Sequence, residues 1–284
     1  MDSKPVGRFA PSPTGPLHFG SILAAVASYL DAKSVGGKWL VRIEDVDEAR
    51  TVSGAAEGML NLLEQLGMEW DGEVLYQSRR THLYREAMAA LGGFAYPCSC
   101  SRREIEGIYR GTCRNGAKGE AKSVRVRVDD EKTSFVDLIQ GEYAQNLEKE
   151  VGDFVLFRAD GFFAYQLAVV VDDWDQGVTR VVRGADLLDS TPRQIHLQRL
   201  LGFDMPIYAH LPVAINEKGE KLSKQTQAEA AGPEIRTLFR SLNFLGQDPP
   251  DALLEGDIPA FWNWAMNNWD LDRIPKLKTI LEKA

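Results

Sequence analysis

The sequence lacks any apolar run near the roughly 18 residues that a membrane-spanning helix needs, which excludes a helical membrane protein. Its opening, Met1-Asp2-Ser3-Lys4-Pro5, has no apolar core of the secretory kind, so the expectation is a cytoplasmic protein. Basic excess is missing as well. The net charge is -8, whereas general nucleic-acid binders usually carry a positive surplus. Cysteine is scarce, with three in all, and an odd count argues against a disulfide framework. The three crowd together as Cys98, Cys100 and Cys113. That grouping suits a metal site in a reducing compartment; small buried hydrophobes are the other reading. Internal repeats and low-complexity tracts are absent.

What is present is the mix of a globular chain, 44% hydrophobic and 26% charged over 284 residues, enough to bury a core in one or two domains. Charge is unevenly spread. From Cys98 to Arg127 the local balance is +5, either a solvated basic face or a patch for phosphate backbone.

Val6-Gly7-Arg8-Phe9 is a half-apolar strand, and the proline-rich Ala10 to Pro16 is a loop. Ile22, Leu23, Val26 and Leu30 recur at helical spacing, so a helix begins near His18. Trp39 to Ile43 is a second strand, followed by helices through Met59 to Leu66 and Leu83 to Leu91. Alternation of this kind predicts an α/β fold with a parallel sheet covered by helices. Residues 1–95 are expected to form the first half of this α/β domain. Short alternating segments over 96–162, carrying the cysteines, predict an inserted α+β subdomain. The parallel-sheet pattern resumes in 163–245 with Ala164 to Val171 and Thr179 to Gly184, and Ser190-Thr191-Pro192 opens a helix. Residues 246–284 form a short helical tail.

Two short elements carry chemistry. Pro16-Leu17-His18-Phe19-Gly20-Ser21 sits where a loop becomes a helix, and a helix N-terminus offers free N–H groups to phosphate. Alone, such a turn is more often ordinary packing. Lys221-Leu222-Ser223-Lys224-Gln225 follows a glycine turn and could deliver ammonium groups to a phosphate, or could be a solvated turn.

Together the two resemble the paired signatures of class I aminoacyl-tRNA synthetases, with their Rossmann-like parallel sheet. Arg8-Phe9-Ala10-Pro11-Ser12-Pro13-Thr14-Gly15-Pro16-Leu17-His18-Phe19-Gly20 resembles the opening of glutamyl-tRNA synthetases. Val41 to Asp47, Tyr165 to Ala168, Asp172-Asp173 and Val182 to Asp186 resemble later blocks in the same order.

The resemblance implies a ligase that converts L-glutamate and ATP, with Mg²⁺, to glutamyl-adenylate. It implies a glutamate site of Arg8, Phe9, Ala10, Pro11, Ser12, Glu44, Tyr165 and Arg183. Arg8 and Arg183 would each clamp a carboxylate bidentately, and Glu44 would take the ammonium. ATP would contact His18, Gly20, Ser21, Lys221, Ser223 and Lys224, with His18 and Lys224 catalytic. Cys98, Cys100, Tyr109 and Cys113 resemble the structural zinc site of some members, with water as the alternative to Tyr109.

Only about sixty residues follow Lys224, too few for the helical anticodon-reading domains of the full-length enzymes. The chain thus resembles a truncated branch whose members attach glutamate to queuosine in the anticodon loop of tRNA(Asp). No membrane or protein partner is implied, and a monomer is expected. Charging of a tRNA 3′ end with a separate anticodon-reading partner, and a silent tRNA-binding module, are the alternatives. Val169 stands where the full-length enzymes usually carry asparagine, so weaker glutamate binding is expected.

Overall fold

The computed structural model describes residues 4–222 and 230–282. Strand β1 (Val6–Phe9) leads through the proline loop into α1 (Phe19–Lys33). This helix is buried on nearly every side, from Ile22 and Leu23 to Leu30 and Ala32. A helix apolar all round belongs inside a core, and its one buried acid, Asp31, is paired with Arg180 at 3.2 Å.

Parallel to β1 runs β2 (Lys38–Ile43), with Val6 opposite Lys38 and Phe9 opposite Val41. Trp39 anchors the pair, edge-on to Tyr29 and donating its indole N–H to Ser28 Oγ at 2.9 Å. Helix α2 (Ala55–Gln65), the short β3 (Leu75–Tyr76) and α3 (Thr81–Ala90) follow, and β3 pairs parallel to β2.

The pattern then changes to antiparallel. Strands β4 (Ala95–Cys98), β5 (Ser123–Val126) and β8 (Phe154–Phe157) form one sheet. Between them lie the hairpin β6 (Lys132–Asp137) and β7 (Gly141–Asn146) and the one-turn α4 (Leu147–Glu150). The hairpin does not stay with that sheet. Phe135 packs on Tyr208, and Leu138 N donates to Tyr208 O at 2.9 Å.

Helix α5 (Tyr165–Asp175) corrects the expectation of a strand over Ala164 to Val171. Its run of valines is buried on all faces, and a fully buried apolar run cannot be assigned to strand or helix by periodicity. Then come β9 (Arg180–Gly184), α6 (Thr191–Leu201) and β10 (Ile207–Leu211), with β10 parallel to β9. Ser190 precedes α6 without capping it through its side chain.

The two parallel sheets meet along one seam. Thr179 N donates to Val6 O at 3.0 Å, and Val6 N to Thr179 Oγ1 at 2.9 Å. The strand sequence across the seam is β3-β2-β1, then β9-β10. Beyond β11 (Val213–Ile215) lie α7 (Ile235–Phe244) and α8 (Ile258–Asn268). The tail is not purely helical, because β12 (Thr279–Leu281) pairs parallel to β11. Trp262 closes it onto the first half, packing on Tyr29 and donating to Leu66 O at 2.8 Å. Among the described residues no helix is long and apolar enough to cross a membrane.

Candidate active site

In an open parallel sheet the crevice for ligands opens at the carboxyl ends of the strands, where strand order reverses. Here that point lies between β1 and β9, and a cavity of about 710 Å³ opens there. One wall holds Arg8, Phe9, Ala10, Pro11, Ser12, Glu44, Tyr165 and Arg183; the other holds His18, Gly20, Ser21 and Lys221. Residues spread over most of the sequence thus share one space. Ser223 and Lys224 lie outside the described residues.

Strand ends position the first wall. Pro11 O accepts from Glu44 N at 2.9 Å, which ties the loop after β1 to the end of β2. Arg8 is buried and gives its Nε and Nη2 to the two oxygens of Asp173, at 3.1 and 3.3 Å. Asp173 also takes Arg42 Nη2 at 2.8 Å, and that group lies 3.5 Å from Glu44. Burial opposes ionisation of Asp173, but the two guanidinium groups hold it below the usual carboxylate range. Burial pushes the Glu44 carboxyl up to about 7, against the pull of Arg42 and Arg8. Among the described residues Arg8 Nη1 has no hydrogen-bond partner, so that edge is left for the cavity it lines.

Arg183 is buried opposite. Its Nε donates to His210 Nε2 at 3.0 Å, and its Nη2 to Thr191 Oγ1 and Gln194 Oε1, each at 2.8 Å. Its Nη1 reaches Tyr165 OH at 3.4 Å. With that hydroxyl accepting, its proton is left to point elsewhere. The Nε–Nη2 edge of each arginine is therefore taken by the protein. Bidentate clamping through that edge is not available, and a carboxylate would meet the Nη1 side of each.

On the second wall His18 precedes α1, with Nε2 3.2 Å from Ser21 Oγ. A Cβ on Gly20 would stand 3.3 Å from the His18 ring and 3.5 Å from Leu222 O, so glycine keeps this approach open. Both described flanks of the lysine loop border the site. Leu222 lines the cavity, and Ala230 bridges to His18. Lys221 is ion-paired with Asp186 at 2.5 Å across the rim.

Asp173, Arg42, Asp186, His210, Asp137 and Thr191 were not among the site residues expected from the sequence. For Asp173 a signal was there, since an acidic pair directly after the apolar run from Leu167 to Val171, on the same buried helix, demands partners. His210 offered none, being one histidine within Tyr208-Ala209-His210-Leu211.

The three cysteines form a separate cluster, their Sγ atoms all within 4.8 Å of one another. Tyr109 OH lies 3.3 Å from Cys98 Sγ and 3.9 Å from Cys100 Sγ, and accepts from Cys113 N at 2.9 Å. Tetrahedral zinc with bonds of about 2.3 Å needs sulfurs about 3.8 Å apart. The Cys100–Cys113 separation of 3.6 Å fits, and the donor set could hold such an ion. Much of the basic run proves to be internal. Arg114 binds the buried Asp153, Arg125 lies over the Tyr109 ring, and Arg127 donates to Arg114 O. The expected basic face shrinks accordingly to exposed side chains such as Arg103, Arg110, Lys118 and Lys122.

A family model described as the catalytic domain of class I tRNA synthetases (E and Q) matches residues 5–233. The chain belongs to this family. Among class I tRNA synthetases it is similar to proteins named glutamyl-Q tRNA(Asp) synthetase. That of Dechloromonas aromatica is 55% identical, with 100% of both chains covered. That of Chromobacterium violaceum is 52% identical over 95% of both. The glutamate-tRNA synthetase of Elizabethkingia anophelis superposes with a TM-score of 0.81 at 26% identity, covering 97% of this chain and 67% of that one. The glutamate tRNA ligase of Elizabethkingia meningosepticum in complex with its amino acid gives 0.81 and 26%, covering 97% and 66%. This class I chain therefore spans about two thirds of those synthetases but 95% and 100% of the two glutamyl-Q relatives.

Proposed function

We propose that the protein activates L-glutamate with ATP as glutamyl-adenylate and transfers the glutamyl group to queuosine in the anticodon loop of tRNA(Asp). One observation carries the first half. Two arginine edges and one carboxylate, from Arg8, Arg183 and Glu44, face a single cavity, matching a ligand with two carboxylates and one ammonium. Tyr165 has a hydroxyl proton to give to the same ligand. The second half rests on the full-length likeness to glutamyl-Q tRNA(Asp) synthetases.

The residues bind and orient; no protein nucleophile is needed. An α-carboxylate oxygen attacks the α-phosphorus, the bond to the bridging oxygen breaks, and pyrophosphate leaves. His18 and the open backbone at Gly20 border the phosphates, and Lys221 and Lys224 supply positive charge. Mg²⁺ bound with ATP supplies charge neutralisation on the phosphates. A hydroxyl of the acceptor then attacks the activated carbonyl, its proton is released, and AMP departs. Cys98, Cys100, Cys113 and Tyr109 would hold zinc as a structural ion. A tRNA substrate puts this work in the cytoplasm, with one chain sufficient for the cavity.

The test is transfer of labelled glutamate to matched tRNA preparations with and without queuosine. Label confined to queuosine-containing tRNA and resistant to periodate blocking of the 3′ end is the expected result. Equal, periodate-sensitive labelling of both would assign 3′-end charging instead. No pyrophosphate exchange with glutamate and ATP, even with tRNA, would leave a silent module.

A further inference from the structure

Arg183 is a buried cation that among the described residues has no carboxylate partner. A long arginine side chain has many rotamers, so a fixed Nη1 edge requires the rest of the fork to be held. Four neutral acceptors do this: His210 Nε2, Thr191 Oγ1 and Gln194 Oε1, with Leu187 O at 3.5 Å. Neutral partners hold the fork without cancelling its charge. The imidazole accepts there only if Nε2 carries no proton, which requires the neutral tautomer with hydrogen on Nδ1.

That tautomer is imposed from the inserted hairpin. Asp137, the last residue of β6, places Oδ2 2.5 Å from His210 Nδ1, and both side chains are fully buried. Its Oδ1 is committed elsewhere, accepting the backbone N–H of His210 at 3.0 Å, Ile139 at 3.0 Å and Gln140 at 2.9 Å. Gln140 Nε2 locks the arrangement by donating to His210 O at 2.9 Å. Burial and the nearby Arg183 keep His210 below its ordinary range, although Asp137 pulls the other way.

We propose that Asp137 and His210 are positioning residues of the amino-acid site. Asp137 selects the imidazole tautomer whose Nε2 lone pair holds Arg183 with its Nη1 edge toward the substrate carboxylate. This rests on the reading of the cavity as a glutamate site. It also gives the insertion a part in amino-acid recognition, although none of its residues lines the cavity.

Asp137→Asn separates this from a purely structural role. The single amide oxygen of asparagine stays with the three backbone N–H groups, so the amide N–H₂ faces His210 Nδ1. The ring must then carry its proton on Nε2, donor against donor with Arg183 Nε. In glutamate-dependent ATP–pyrophosphate exchange, KM for glutamate should rise roughly 10- to 100-fold, as when other outer partners of a binding group are lost. KM for ATP should stay within about twofold, because the second wall does not contact this pair. The ¹⁵N resonances of the His210 ring should exchange their protonated and unprotonated signatures. His210→Gln, whose amide oxygen still accepts from Arg183, should keep KM for glutamate within about threefold, and His210→Leu should repeat the loss.

Equal rises in both KM values, or a lower melting temperature with KM for glutamate unchanged, would overturn the inference. The His210 variants decide in the same way if Asp137→Asn does not fold. Absence of glutamate-dependent exchange in the unaltered protein would instead sink the reading of the cavity.

Discussion

Arg8 and Arg183 face one cavity from opposite strands and are held in opposite ways. Arg8 is fixed by a carboxylate, Asp173, which neutralises it and also binds Arg42. Arg183 is fixed by an imidazole, a hydroxyl and an amide, and keeps its full charge. The β1 side is thus a compensated ion network in which stability and site are joined. The β9 side is a bare cation in a scaffold of dipoles, where they come apart. An uncompensated buried charge is costly, and an anionic substrate repays that cost on binding. A glutamate carboxylate should accordingly gain more from Arg183 than from Arg8.

The largest expected effect breaks this contrast directly. Arg183→Gln should lower glutamate-dependent exchange about 10³-fold, as truncation of one partner in a buried charged contact does, yet cost only about 1–2 kcal/mol in urea unfolding. Arg8→Gln should also abolish activity but destabilise by about 3–5 kcal/mol, because it leaves the buried Asp173 with Arg42 alone. Equal stability losses in the two variants would show that the arginines are not held differently.

Next is the cysteine cluster, which lies outside the contrast and serves as its control. Cys113→Ser should remove one bound zinc per chain and lower the melting temperature, because metal binding in such sites is folding energy. Metal analysis with thermal melting checks this, and a variant that melts unchanged counts against a structural ion.

Glu44 sharpens the same contrast through pH. With its carboxyl pushed up to about 7, it is largely protonated at pH 6 and ionised by pH 8. The ionised form pairs with the substrate ammonium far more strongly than the protonated one, which keeps only a neutral acceptor oxygen. KM for glutamate should therefore fall about tenfold from pH 6 to pH 8 and then level off. A flat profile would mean that Glu44 does not meet the ammonium.

Smallest is Val169→Asn. The sequence difference implied weaker glutamate binding, but Val169 is buried in the second core cluster and absent from the cavity wall. The asparagine should change KM for glutamate less than about threefold and destabilise by about 1–3 kcal/mol through an unsatisfied amide. A large gain in glutamate affinity would restore the sequence-based expectation.

Sequence by itself determined the alternating α/β frame, because apolar spacing in α1, α2 and β2 is a local property. It also determined which residue types line the cavity, since Arg8, His18, Glu44, Tyr165 and Arg183 stand in blocks whose order is readable. It misjudged α5, where an apolar run carries no period once every face is buried. Only the tertiary structure decided which edge of each arginine is taken by the protein and which faces the cavity. That depends on Asp173 and His210, which come close to Arg8 and Arg183 only after the chain crosses the sheet, 165 and 27 residues away in sequence. The place of Asp137, 73 residues before His210, was decided in the same way: its hairpin leaves the inserted sheet to hydrogen-bond beside β10. Residue type is written locally, but the orientation of a charged group is set by whatever long-range packing brings to its other donors.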